Sequence, residues 1–270
     1  MESKRIISII ENGLETSSLI AGELQAKLTD AGFEAITEIT DDAELAICIG
    51  GDGSFLRTLA KYDFPKVPFV GVNTGHLGFF QELNEEDIDS FIEKYKKGDY
   101  VRQCYRTVTA EFTGKDGKHT TVRALNDIVI KGAKGRLSHL DLYIKDDFVE
   151  KFNGDGLVIS TPAGSTAYNY SLGGSIVDPR INLLQLTPIA AVNTSAYRSF
   201  TSGILLPPGL SVSLFPEFKS GLPETVISID GDEERVTSIE KVIICLSEDT
   251  VELLRFKDYN FWRTVKEKLL

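Results

Sequence analysis

Three cysteines in 270 residues are too few and too scattered for a disulfide framework. Cys48, Cys104 and Cys245 lie far apart, and no two of them stand at metal-ligand or redox spacing. Cys48 and Cys245 sit in apolar runs and read as core thiols, which fits a reducing compartment. The chain also lacks an apolar run of the roughly 18 residues that a membrane helix needs. The run in "MESKRIISII" is too short for a signal peptide, so a cytoplasmic protein is expected. Basic charge is scarce: 29 Lys and Arg stand against 40 Asp and Glu, a formal net charge of -11. Nucleic acids and anionic membranes reward clustered Lys and Arg, so neither is an expected partner. A phosphate ligand would have to be held by backbone dipoles, a few basic side chains or a metal ion. There is no fixed-period repeat, no low-complexity tract and no Pro/Gly/Ser linker.

What is present follows two grammars. The first hundred residues alternate strand and helix. "RIISII", "EAITEI", "LAICIG" and "VPFVGVN" read as strands, the last two apolar on both faces. Between them Ile20, Leu24, Leu28 and Ala31 recur at helical spacing, with Gly32 as the stop, and "SFLRTLAKY" reads as a second helix. In "NEEDIDSFIEKYKKGDY", Asn84 caps a helix with Glu85, Glu86 and Asp87 at its positive end. Lys94, Lys96 and Lys97 lie at the other end, and Gly98 closes it. The pattern predicts a doubly wound α/β domain over residues 1–100, an open parallel sheet with helices on both faces. From residue 101 to 255 the pattern is β-rich and mostly antiparallel, with a turn at Lys115–Lys118. A last helix over 256–270 is expected to complete the first domain.

Three Gly-rich loops follow buried strands. "GGDGS" (50–54) opens a helix, where glycines permit close backbone approach and free N–H groups suit phosphate. It is not a Walker A loop, because the Gly-Lys-Ser/Thr ending is missing. Asp52 would repel phosphate unless it has a separate duty, such as accepting a proton or holding Mg²⁺. The five residues alone leave that reading level with a plain tight turn carrying a solvated or capping aspartate. "VGVNTGHLGFF" is the second loop, with Phe79 either an aromatic face for a base or core; His76 reads as a packed histidine. "FNGDGLVISTPAGSTAYNYSLGGSIV" is the third, rich in neutral donors and acceptors suited to a sugar or amide. No histidine base accompanies its hydroxyls, which argues against a serine hydrolase. Asn126 and Asp127 stand at a strand in "ALNDIVI", Asp127 as a ribose ligand or an edge charge. Lys131, Lys134, Arg136 and Lys151 are candidates for contacting a donor nucleotide and read equally as surface charges.

The order of "GGDGS", "NTGHLGFF", "LNDIVI", "GDGLVISTPAGSTAYNYSLGG" and "SIDGD" resembles that of bacterial NAD kinases, from Ile49 to about Asp232. "GGDGS" alone is shared with phosphofructokinases and lipid kinases; the "TPAGSTAYNYSLGG" block is far more specific. The resemblance implies phosphoryl transfer from ATP with Mg²⁺, or another divalent metal cation, to the 2′-hydroxyl of the adenosine ribose of NAD. Polyphosphate is a further possible donor, and a homodimer or homotetramer is implied. Asp52 matches the aspartate that activates the hydroxyl, Gly53 and Arg57 belong to its loop and helix, and Phe79 matches the aromatic near adenine. Asn126 and Asp127 match an Asn-acid pair in which glutamate is usual. Asp155, Ala163, Thr166, Ala167, Tyr168, Asn169, Tyr170 and Ser171 match dinucleotide contacts, with His139 and Ala190 more weakly placed. Asn153 replaces a frequent arginine, and Asp232 a frequent glutamine or histidine, so contacts there depart from the family pattern. A kinase of a lipid or sugar phosphate, a dinucleotide sensor without turnover and a purely structural interaction protein are the alternatives; the polar third loop disfavours a lipid.

Overall fold

The computed structural model describes residues 5–75, 78–195, 198–217, 225–236, 239–256 and 259–270. By its internal contacts the chain forms two compact units, Met1–Cys104 with Val251–Leu270, and Tyr105–Thr250.

In the first unit the chain runs β1 (Ile6–Glu11), α1 (Glu15–Asp30), β2 (Glu34–Ile36), β3 (Ala43–Ile49), α2 (Asp52–Lys61), β4 (Phe69–Val72) and α3 (Ile88–Lys97). The strands lie parallel in the order β2-β1-β3-β4. Side chains alternate across a strand, and the alternation decides where the helices go. Leu45, Ile47, Ile49, Val70 and Val72 join Ile20, Leu24 and Leu28 of α1 and Ile88, Phe91 and Ile92 of α3 in one apolar cluster. Phe69 points the other way, and there Phe55 of α2 meets it edge-on at 5.4 Å. Helices therefore cover both faces, the doubly wound arrangement. Cys48 lies on the α2 face, where burial pushes its thiol up to about 12. The start of α3 is fastened by a reciprocal box between Asn84 and Asp87, and Gly98 ends it in the left-handed region at φ 69°.

The second unit begins within β5 (Val101–Gly114). It continues through β6 (His119–Ala124), β7 (Asp127–Gly132), β8 (Ser138–Ile144), β9 (Asp147–Gly154), β10 (Gly156–Ser160), α4 (Tyr168–Ser171), β11 (Leu184–Ile189) and β12 (Ile204–Leu206). β13 (Ser211–Pro216), β14 (Thr225–Ile229), β15 (Asp232–Val236) and most of β16 (Ile239–Arg255) complete it. One antiparallel sheet has the order β12-β11-β10-β7-β14-β15, and β16-β13-β8-β9 pair in another. Ile128, Ile130, Leu157, Ile159 and Leu186 of the first sheet share a core with Leu140, Leu142, Val212, Leu214 and Ile244 of the second. Each such fully buried aliphatic contributes about 1.5–3 kcal/mol. Cys245, expected in the core, is only half buried: Ile244 and Leu246 on either side take the inward positions. The last residues of β16 return to the first unit, where Leu253 pairs with Phe69 of β4, and α5 (Phe261–Leu269) follows. Asn260 caps α5, its side chain accepting from the N–H groups of Trp262 and Arg263.

Candidate active site

Asp52 is the first residue of α2, directly beyond the end of β3. The tight hand-over needs Gly50, whose φ is +143° and where a Cβ would press on Ser54 and Asn12. Ser54 accepts from Asn12 and from Arg57 of the same helix, both at 3.3 Å, and Gly53 stands exposed beside Arg57. The Asp52 carboxylate faces the chain segment after β4. Its Oδ2 accepts the Phe79 N–H at 3.1 Å and its Oδ1 accepts the Phe80 N–H at 3.0 Å. Lys268 of α5 adds an ion pair, Nζ to Oδ2 at 2.6 Å, with its ammonium 4.9 Å from the centre of the Phe79 ring. The Phe79 ring is buried and tilts against Phe261. His76 lies outside the described residues.

The Phe79–Glu82 segment is held rigidly. It folds back over β4, and Glu82 and Leu83 donate to the Gly71 carbonyl. A side chain on Gly71 would strike the Phe80 backbone, 2.5 Å from its carbonyl oxygen. Arg255, 2% exposed, donates to the Phe79 carbonyl at 2.7 Å, to Gln103 and to Glu82, and stacks on Tyr259. Burial raises the Glu82 carboxyl and the Arg255 charge opposes this. Arg255 and Glu82 belong to no motif; only an arginine at the end of an apolar strand run marks them.

In the second unit, Asn126 and Asp127 stand at the start of β7, opposite Ser160 at the end of β10. Asp230 and Gly231 form a two-residue hairpin between β14 and β15, both with positive φ, 50° and 93°. That turn aims the Asp230 carboxylate at the N–H groups of Leu125, Asn126 and Asp127, at 2.8, 2.7 and 3.2 Å. Asp232 is exposed on the far side of the turn. Burial, and then the neighbouring Asp230, push the Asp127 carboxyl up to about 7. Burial also raises Asp230, to about 6, against the pull of the three N–H groups. The Asn126 Oδ1 is buried and has no hydrogen-bond partner among the described residues.

The polar loop starts at the same sheet end. Thr161 donates to the carbonyl of Leu125 through its hydroxyl and to that of Asn126 through its N–H. Gly164 lies so close to the Asn126 backbone that a Cβ would collide with it. Ala163 to Thr166 form a 3-10 turn that leads through Ala167 into α4, which carries Tyr168, Asn169, Tyr170 and Ser171. Asn169 is fully buried and uses its amide within the unit, donating to Ser165 and Ser175 and accepting from Thr187. Tyr168 is exposed.

Four other predicted residues gather at the opposite end of β10. His139 Nδ1 donates to Asn153 Oδ1 across the β8–β9 pair. Asn153, 2% exposed, also donates to the Lys151 carbonyl through its amide and to the Ser199 hydroxyl oxygen through its backbone N–H. Asp155 lies at the β9–β10 turn with its N–H on the Ile189 carbonyl, beside Ala190, whose φ is 45°. β10 separates this group from Asn126 and the polar loop by its five residues, about 15 Å. Lys151 is paired with Glu217 and Asp141; the Lys134 side chain lies outside the described residues.

Known proteins give these arrangements a context. Residues 10–100 match the ATP-NAD kinase N-terminal domain and residues 125–256 the ATP-NAD kinase C-terminal domain. An NAD kinase of Finegoldia magna is 35% identical over 270 residues, 99% of each chain. An NAD kinase of Streptococcus thermophilus is 32% identical over 267 residues, 98% of this chain and 94% of the other. The fold is also that of yeast NADH kinase complexed with NADH, with a TM-score of 0.86 at 17% identity over 99% of this chain and 88% of that one. An NAD kinase from Archaeoglobus fulgidus in complex with ATP gives 0.76 at 20% identity over 97% and 98%. By sequence over its whole length and by both of its domains, the chain belongs to the NAD kinase family.

Proposed function

We propose that this protein transfers the γ-phosphoryl group of ATP to the 2′-hydroxyl of the adenosine ribose of NAD, giving NADP, with Asp52 as general base. The observation that carries the role of Asp52 is its setting. It is a carboxylate at a strand end and helix start, held by the Phe79 and Phe80 N–H groups, in a loop whose glycines leave the backbone open. A fixed carboxylate of this kind accepts a hydroxyl proton as the oxygen attacks phosphorus. Orientation of the dinucleotide supplies much of the rate. Asn126, with its unpartnered Oδ1, Asp127 and the Ala163–Ser171 loop form the group best suited to it. His139, Asn153, Asp155, Ala190 and Asp232 stand as further contacts, and Gly53, Arg57 and Phe79 as contacts beside Asp52. The 1–100 segment with 256–270 serves as the nucleotide-binding domain and 101–255 as the dinucleotide-binding domain.

Among the described residues no three His, Cys, Asp or Glu side chains gather as a metal site. We infer that the divalent cation, Mg²⁺, arrives on the phosphates of ATP as part of the substrate. Polyphosphate is a second donor to test. No helix among the described residues is long and apolar enough to cross a membrane; we assign the protein to the cytoplasm and to a homodimer or homotetramer, measurable by light scattering. The deciding assay supplies NAD, ATP and Mg²⁺ and detects NADP with an NADP-specific dehydrogenase. Asp52→Asn is expected to keep NAD binding and to lose at least about 100-fold in kcat. Turnover near the wild-type rate in that variant overturns the role of Asp52.

A further inference from the structure

An ionised carboxylate offers about four lone-pair positions, two on each oxygen. Among the described residues, three of those on Asp52 are taken. The Phe80 N–H uses one on Oδ1, while the Phe79 N–H and the Lys268 ammonium use both on Oδ2. The one left is on Oδ1. Oδ1 also lies against the bare Cα of Gly78, where a Cβ would collide with it and with Gln81 Oε1. Gln81 Oε1 is buried and has no hydrogen-bond partner among the described residues. The Oδ1 side of the carboxylate is thus short of donors, and the Oδ2 side is saturated.

Lys268 does not reach this place as a loose surface lysine. Its helix is capped by Asn260, buries Thr264 and Val265, and leans Phe261 on the Phe79 ring. The ammonium then sits over the same ring while it touches Asp52. The aromatic face, the carboxylate and the helix anchor together set one position for the charge.

We propose that Lys268 is a positioning residue for the phosphoryl transfer: by occupying Oδ2 it makes Oδ1 the oxygen that receives the proton of the attacking hydroxyl. The proposal rests on the reading of Asp52 as the base. In the step, the hydroxyl O–H bond breaks and its proton passes to Oδ1. The freed electron pair forms the new oxygen–phosphorus bond, and the bond from the γ-phosphorus to its bridging oxygen breaks, its pair leaving on ADP.

The test measures kcat and KM for NAD in Lys268→Met and Lys268→Arg, each alone and combined with Asp52→Asn. Thermal unfolding is followed in parallel. Lys268→Gln, one atom shorter but polar and uncharged, stands in for Lys268→Met if the latter lowers the Tm. The expected results are a fall in kcat of at least about tenfold with KM little changed, and recovery of most of it in Lys268→Arg. In the Asp52→Asn background the lysine change should add almost nothing, since both act through one carboxylate. An unchanged kcat in Lys268→Met, or a raised one, overturns the proposal. Equal losses in both backgrounds also overturn it, because the lysine would then act on the substrate directly. If Asp52→Asn itself turns over normally, the base reading fails; if Asp52→Asn is inactive and Lys268→Met is not, only the lysine proposal fails.

Discussion

Asp127 and Asp230 place two carboxyl groups in one buried corner of the second unit, and burial raises both, Asp127 further than Asp230. Asp230 accepts three N–H groups and so favours its charge, while Asp127 is left to burial and to the negative neighbour. An aspartate ordinarily titrates near 3.8, and Asp127 does so at about 7 in the fold. Between those values the folded protein holds a proton that the unfolded chain has released. Stability contributed in this way is complete below the lower value and is lost as pH rises through the upper one. Urea unfolding at pH 5 and at pH 8 should show the protein less stable at pH 8; Asp127→Asn should reduce the difference, and Asp230, raised to about 6, should account for part of what is left. Asn126 and Asp127 were legible in the sequence as a polar pair at a strand, and the Asp230-Gly231 turn only as part of the "SIDGD" block that resembles the family. That the turn carboxylate would cap the pair's own N–H groups was not, because their approach depends on the pairing of β14 with β7. Lys268 was illegible for a different reason: a lysine in the last turn of a helix reads as a partner for the helix dipole.

The loop elements owe their shapes to glycines and to one buried ion pair. Gly164→Ala would drive a methyl group into the Asn126 backbone. It is expected to cost about 2 kcal/mol or more and to raise KM for NAD more than it lowers kcat, as steady-state kinetics would show. The Phe79–Glu82 segment depends on Arg255. Arg255→Ala leaves the Glu82 carboxylate buried without its cation, with an expected loss of about 3–5 kcal/mol in denaturant unfolding. Replacing both residues, Arg255→Met with Glu82→Gln, should recover part of that loss while kcat stays low, since the Phe79 carbonyl would still lack its donor. Both Gly-rich loops of the first unit were visible as punctuation after apolar strands. Their mutual arrangement was not, since it turns on Gly71 letting a later segment fold back across β4.

Across the whole molecule, the change of grammar near residue 100 marked the shift from alternating strands and helices to antiparallel hairpins. The contact-defined units divide at 104 and again at 250. The second division is hard to see in the sequence because β16 runs through it as one apolar-patterned strand of 17 residues. Each unit has its own core. Leu254 and Phe256 belong to the first one, although more than 150 residues separate them from Tyr95 and Phe91 in the same cluster. A chain cut after Thr250 is therefore expected to lose hydrogen-exchange protection in β1 and β3 and to keep it in β7 and β10. Equal loss in both sets would show that the two cores fold as one.

The split origin of the first unit has a consequence for synthesis on the ribosome. Residues 105–250 leave the exit tunnel as one uninterrupted stretch and can settle as soon as they are out. Residues 1–104 emerge earlier and must wait, with the far edge of β4 lacking the segment around Leu253 that pairs with Phe69. Vectorial translation thus releases the second unit finished while the first is still open. Codon choice and chaperone capture over the last stretch of the message would then bear on the yield of active protein more than the same changes near its start.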